Sequence, residues 1–234
     1  MRLDALLVRL GFGSRTEVQK MIRGGLVQVN GEKMISPAFS WTDEAVSVRN
    51  SPVDTRLDRH IMLNKPAGVL TAADDPAQPT VFSLLPPALL SLKCMPVGRL
   101  DKDTTGLLLF TTDGELAHRL ISPRREIRKV YEAVVDSDLT EEDVIRFREG
   151  IRLSDFTALP AELEILESRR ARITVCEGKY HQVRRMLAAA GHQTAALERK
   201  RFGPVILDPD LPAGHFRELR EEELAALRQA AGMR

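Results

Sequence analysis

Val97-Gly98-Arg99-Leu100-Asp101-Lys102-Asp103-Thr104-Thr105-Gly106-Leu107-Leu108-Leu109-Phe110-Thr111-Thr112-Asp113-Gly114 is the stretch that decides how this chain is read. A loop carrying one arginine, two acids and two threonines passes through Gly106 into the apolar run Leu107 to Phe110. Such a run bounded by turn residues predicts a buried strand. A carboxylate therefore stands at the lip of a core strand, fixed by its scaffold and able to face a cleft. Taken alone, Asp101 or Asp103 could equally close an Asx-turn.

Working outward, His60 to Gly68 begins a core with a strand that the Lys65-Pro66 turn ends. Downstream, Glu115 to Ile121 predicts a short helix. Lys129 to Val135 alternates, which puts Lys129, Tyr131 and Ala133 on one face and Val130, Glu132 and Val134 on the other. Thr140 opens a helix running through Phe147, with acids at its positive end. Residues 161 to 176 read as two strands around the Ser168-Arg169-Arg170 turn. From Glu177 the pattern predicts a helix to Ala190, closed by Gly191, whose buried stripe is Val183, Met186, Leu187 and Ala190. Lys179, Gln182 and Arg185 then share its outer sector, and Arg184 flanks the stripe. An arginine at that edge needs an anionic partner, and Asp101 is the expected one. Leu197 to Phe202 is a basic strand, and Arg220 to Ala231 a closing helix.

Before the core lies a separate pattern. Leu3, Leu6, Leu7 and Leu10 form one helical face stopped at Gly11. Ser14 and Glu17 form a capping box ahead of Val18, Met21 and Ile22. Leu26 to Val29 leads into Asn30-Gly31, a hairpin turn. Arg9, Arg15, Lys20 and Arg23 take the polar positions, a cationic face suited to phosphates. Ser51-Pro52 and mixed charges mark 49–59 as a linker. The expected fold is α+β: a helical-hairpin module over 1–48 and a domain over 60–234. The larger domain is built on a mixed, largely antiparallel sheet flanked by helices, with a cleft between two halves.

The net charge is only +1, but its distribution is uneven. Basic residues crowd 119–130 and 169–201 and acids gather at 141–143 and 221–223, an asymmetry that fits a polyanion along one side. Cys94 and Cys176 belong to no paired motif, so no disulfide framework or zinc site is expected. No apolar stretch reaches the roughly 20 residues of a membrane helix, which leads to the expectation of a cytoplasmic protein without membrane contact.

Gly98-Arg99-Leu100-Asp101, Thr104/Thr105-Gly106-Leu107-Leu108-Leu109 and Thr112-Asp113-Gly114 together resemble the signature of the pseudouridine synthases that modify ribosomal RNA. His60 to Gly68 resembles that family's first motif. The resemblance implies that Asp101 is catalytic, that Tyr131 of the Lys129-x-Tyr131 motif stacks on the target base, and that Arg184 of the His181-Gln182-x-Arg184 motif pairs with Asp101. It also implies Leu197 as the apolar wall of the base pocket and Arg99 as a further substrate contact. The first 48 residues resemble the S4 RNA-binding module through Arg2-Leu3-Asp4, Gly13-Ser14-Arg15 and Gly25 to Gly31. Asp74-Asp75-Pro76 with Pro79-Thr80-Val81 resembles the small-subunit branch.

The expected substrate is 16S ribosomal RNA in an assembling particle, met by a monomer through Arg9, Arg15, Lys20, Arg23, Lys129, Lys179, His181, Gln182 and Arg185. The reaction breaks the bond from uracil N1 to ribose C1′, turns the base and joins C5 to C1′. It needs no redox change, so no cofactor and no metal are expected. Asp101 serves either as nucleophile or as general base. Flipping the uridine costs a few kcal/mol, which stacking and phosphate contacts offset. Three other readings stay open: a synthase for large-subunit RNA, a non-catalytic S4-type assembly protein, and a glycoside hydrolase, which would need a second carboxylate such as Asp103.

Overall fold

In the computed structural model, residues 1–233 are described, and residue 234, the last of the expected larger domain, lies outside them. The described chain forms two units, Met1–Arg59 with Leu85–Cys94, and His60–Leu84 with Met95 onward.

In the first unit, α1 (Leu3–Arg9) and α2 (Arg15–Arg23) bury Leu3, Leu6, Leu7, Val18 and Ile22. The capping box forms as the sequence predicts. Ser14 Oγ accepts from the Glu17 amide at 3.4 Å, and Glu17 Oε2 accepts from the Ser14 amide at 2.7 Å. A short helix, α3 (Pro87–Ser91), brings Leu92 into the same core. Four strands, β1 (Val27–Val29), β2 (Glu32–Lys33), β3 (Val46–Val48) and β4 (Ser51–Pro52), pair antiparallel in the order β2-β1-β3-β4. Asn30 and Gly31 both take positive φ, 50° and 83°, as the tight hairpin requires. The expected linker thus contains a strand of this sheet, and 85–94 groups with the N-terminal core instead of the larger unit. Asp4 is buried under two bonds from Arg2, both 2.9 Å, and one from Gln19 at 2.8 Å. The Arg2 contact, with help from Gln19 and Arg15, holds its carboxyl well below the usual range.

The second unit contains β5 (His60–Lys65), β6 (Met95–Pro96), β7 (Thr104–Thr111), α4 (Gly114–Ile121), β8 (Lys129–Val135), α5 (Glu141–Glu149), β9 (Glu162–Glu167) and β10 (Arg170–Val175). It continues with α6 (Gln182–Ala190), β11 (Thr194–Phe202), β12 (Val205–Ile206), β13 (Phe216–Glu218) and α7 (Glu221–Ala230). One sheet runs β13-β5-β7-β11-β8-β10-β9, with β6 on β7 and β12 on β11. Every pairing is antiparallel except β7 with β11, so the sheet is mixed and largely antiparallel. Leu107 and Leu109 of β7 meet Leu116 and Leu120 of α4 and Leu227 of α7 in the main core.

Along β8 the alternation holds: Lys129, Tyr131, Ala133 and Val135 are buried, while Val134 is exposed. On the outer face, Glu132 pairs with Arg170 at 2.7 Å and Arg172 at 3.3 Å, and Arg172 pairs with Glu164 at 2.9 Å. Much of the 169–201 basic cluster is therefore matched by acids across the strands, where such pairs support the sheet.

Candidate active site

The parallel pair at the centre of the sheet decides what meets what. Because β7 and β11 run the same way, the loop before β7 and the turn from α6 into β11 come to the same end. Gly106 makes this possible: at φ +94°, any Cβ there would strike the main chain of Arg199. Arg184 joins the two strand starts, its guanidinium donating to the carbonyls of Asp103 at 3.2 Å and Thr194 at 3.4 Å.

The loop that carries Asp101 is tied down from beneath. Lys65, fully buried, donates to the carbonyls of Pro66 at 3.0 Å, Lys102 at 2.9 Å and Thr104 at 2.9 Å. Burial pushes its ammonium down to about 8, with Asp103 and Asp101 opposing that shift. Thr71 Oγ1 donates to the Leu100 carbonyl at 2.8 Å, and the amide of Leu100 returns to Thr71 at 3.2 Å. Asp101 turns back on itself through the Thr104 amide at 3.1 Å.

Asp101 stands at the mouth of a cavity of about 270 Å³, near the small end of ligand pockets, which begin at about 300 Å³. Its floor is Thr104, Tyr131, Leu197, Arg199 and Phe202, with Lys129 beside them. The register explains the grouping: Leu197 pairs with Thr104 on one side and Ala133 on the other, and Arg199 sits opposite Tyr131. Tyr131 is 8% exposed and Leu197 4%, a flat ring and an apolar wall facing one space. Arg99 is exposed at the rim, and Arg124 and Arg125 are exposed on the short turn after Pro123, itself a lining residue.

Four expectations need correction. The first concerns Asp101, whose carboxylate neighbour is His181 and not Arg184: Nε2 lies 3.5 Å from Oδ1. The cause is local. The helix begins at Gln182, five residues later than its apolar pattern predicts, and His181 adopts a left-handed conformation, φ 49° and ψ 29°. That turn puts the imidazole over the Asp101 loop, while Arg184, one turn into the helix, is satisfied by two carbonyls. The second is Gln182, which is buried instead of outward. It accepts from the Lys179 amide at 3.0 Å and donates to Glu177 at 2.7 Å, so it fastens the turn.

The third is Lys129, expected at the RNA surface. It is buried at the cavity floor, donating to Ile127 at 2.9 Å and Cys176 at 3.4 Å. Burial, and secondarily Arg199, push it down to about 8. The fourth concerns Lys179 and Arg185, expected together on the outer sector of the helix as RNA contacts: Lys179 precedes the helix. Lys179 lies 3.6 Å over the Phe156 ring, and Arg185 pairs with Asp155 and bonds Ser154 at 3.2 Å. In the first unit Arg9, Arg15, Lys20 and Arg23 are all exposed, although Arg15 is shared with Asp4 at 3.5 Å.

Arg199 and Thr104 were not expected in the site. Arg199 is 2% exposed; its Nε donates to Leu107 at 2.8 Å while, among the described residues, Nη2 has no hydrogen-bond partner, and Thr104 Oγ1 also has none. Two unpartnered polar atoms under one cavity are unusual for a folded interior. Period-2 alternation from Leu197 would have placed Arg199 inside, but the run of charges 198–201 reads as a surface strand.

Residues 59–189 match the RNA pseudouridylate synthase family, and residues 1–39 match the S4 domain. An uncharacterised RNA pseudouridine synthase of Bacillus subtilis (strain 168) is 41% identical, covering 98% of this chain and 99% of the relative. The ribosomal small subunit pseudouridine synthase A of Escherichia coli (strain K12) is 39% identical, over 97% of this chain and all of the relative. A crystal structure of a pseudouridylate synthase superposes with a TM-score of 0.69 at 34% identity, covering 97% of this chain and 99% of the other.

Proposed function

Since the chain belongs to the RNA pseudouridylate synthase family, it is an isomerase of uridine in RNA, and we propose that its substrate is a uridine of small-subunit ribosomal RNA, with Asp101 as the reacting carboxylate. The observation that carries this reading is the placement of Asp101 at the mouth of a base-sized cavity whose floor holds Tyr131 and Leu197.

The chemistry follows from that placement. The uridine leaves its stack and enters the cavity, where Tyr131 offers a ring face and Leu197 an apolar wall. The carboxylate of Asp101 acts as nucleophile at the sugar or the uracil, or as the base that removes the ribose 2′ proton. The N1–C1′ bond breaks and the freed uracil turns; C5 then bonds to C1′, while the bond that Asp101 formed breaks or the 2′ proton that it took returns to the 2′ carbon, and the C5 proton leaves to solvent as N1 gains one, so no atom is gained or lost overall. His181, with Nε2 3.5 Å from the carboxylate, orients Asp101 toward the cavity. The rim cations Arg99, Arg124 and Arg125, with the exposed basic residues of the first unit, supply phosphate contacts. The hydrolase reading named Asp103 as its second acid, which is absent from the residues lining the cavity; the acid that lines it besides Asp101, Glu177, is engaged by Gln182 and the Leu159 amide.

The test is to incubate small-subunit RNA, naked and in assembling particles, with the wild type and with Asp101→Ala, then map pseudouridine by carbodiimide-blocked primer extension. A stop made by the wild type alone is expected on small-subunit RNA. A stop only on large-subunit RNA overturns the substrate and keeps the chemistry; no stop on either returns the protein to RNA binding.

A further inference from the structure

Tyr180, which precedes His181 and has no part in the proposed mechanism, is 75% exposed. An exposed tyrosine normally lies flat on neighbouring apolar surface. Here the ring instead stacks on His181, with centroids 3.8 Å apart and planes 16° from parallel. His181 in turn reaches Asp101 through Nε2 at 3.5 Å. The left-handed backbone at His181, φ 49°, sets this arrangement and is uncommon for a residue other than glycine. Gln182 holds the same turn from the inside through Glu177 and the Lys179 amide. The result is a column of two flat rings beside the carboxylate, its inner ring 3.5 Å from Asp101 and its outer ring largely exposed.

A nucleic acid strand that delivers one base into the cavity must carry its neighbours past this rim. Single-stranded RNA is recognised chiefly by bases laid on aromatic faces, because every base has one to offer. Lys179 precedes Tyr180 in the chain and Arg185 stands one helical turn after His181, so the strand meets positive charge there even though both are partly engaged by the 154–156 segment. We propose that Tyr180 is a stacking platform for the nucleotide adjacent to the target uridine, extending the Tyr180–His181 column by one base and positioning the strand over Asp101. This rests on the function proposed above. Tyr180 acts on positioning and takes no part in the bonds made or broken.

The experiment uses the full chain and a stem-loop of small-subunit RNA containing the uridine that the wild type converts. 2-Aminopurine replaces the nucleotide on its 5′ or 3′ side. In the Asp101→Asn background, which holds RNA unreacted, fluorescence at one of the two positions should be quenched with Tyr180 or Tyr180→Phe and restored with Tyr180→Ala. In the active enzyme, Tyr180→Ala should raise KM about tenfold with kcat nearly unchanged, and Tyr180→Phe should rescue it. Equal fluorescence in all three proteins at both positions, with KM unaltered, overturns the platform while leaving the isomerase reading intact. A wild type that converts no uridine removes the function and the platform together.

Discussion

At the scale of single residues, the site turns on which group holds Asp101. The structure puts His181 Nε2 at 3.5 Å from the carboxylate and engages Arg184 with the carbonyls of Asp103 and Thr194. His181→Ala should therefore lower kcat about tenfold with the melting temperature little changed, since the imidazole is at the surface of the cleft. Arg184→Ala should lower stability by about 1–3 kcal/mol as well as activity, because two charge-assisted bonds between strand starts are lost. Parallel denaturation and single-turnover measurements separate the two; equal stability loss in both variants would refute the division of roles. The ammoniums of Lys65 and Lys129 give a second expectation, since both are pushed down to about 8 by burial. For Lys65 the folded value lies below the ordinary 10.5, so between these the unfolded chain binds the proton that the fold does not. Its contribution to stability therefore rises with pH across that window. The same deprotonation removes a donor from the carbonyls that shape the Asp101 loop. Activity should fall with a midpoint near pH 8 while this contribution to the melting temperature does not fall. A rate profile flat to pH 10, or one that tracks unfolding, would count against the loop clamp.

At the scale of elements, the parallel pairing of β7 and β11 is what brings together motifs far apart in the chain. Gly106 permits it, so Gly106→Ala should destabilise by about 3 kcal/mol or more, through both the collision with the Arg199 main chain and the strain of φ +94°. Urea denaturation would measure this, and a loss under about 1 kcal/mol would mean the two strands have room to part. How much of this was legible in the sequence follows from the range over which each signal acts. Strands and helices with local periodicity, such as Lys129–Val135 and Glu221–Ala230, were readable because burial repeats every two or about 3.6 residues. The start of α6 was not, because the break falls at a left-handed His181, three residues beyond the glycine at 178. That single turn explains why Gln182 is inward and why the partner of Asp101 differs from the expected one. Arg199 was hidden by its charged neighbours, which face the other side of the same strand.

At the scale of the whole molecule, the chain crosses between its two units three times, because Leu85–Cys94 groups with the N-terminal residues. No local pattern could show this: a five-residue helix such as Pro87–Ser91 carries apolar residues with no mark of the core they enter. Leu92 packs with Leu3, Leu7, Val18 and Ile22, and is 7% exposed. Leu92→Ala should therefore loosen the N-terminal unit by about 2–3 kcal/mol, although β5 separates it in sequence from every other member of that core. Hydrogen exchange reads the effect directly, with faster exchange of α1, α2 and β1 amides and unchanged exchange in β7 and β8. The same reasoning applies to cutting the chain before His60. Such a fragment keeps 85–94 but loses the core that buries Leu92, so it should bind a hydrophobic dye or self-associate, and Leu92→Ser should relieve this. Unaltered protection of α1 and α2 in Leu92→Ala, or a dye-silent monomeric fragment without the serine, would show that 85–94 does not depend on the N-terminal core.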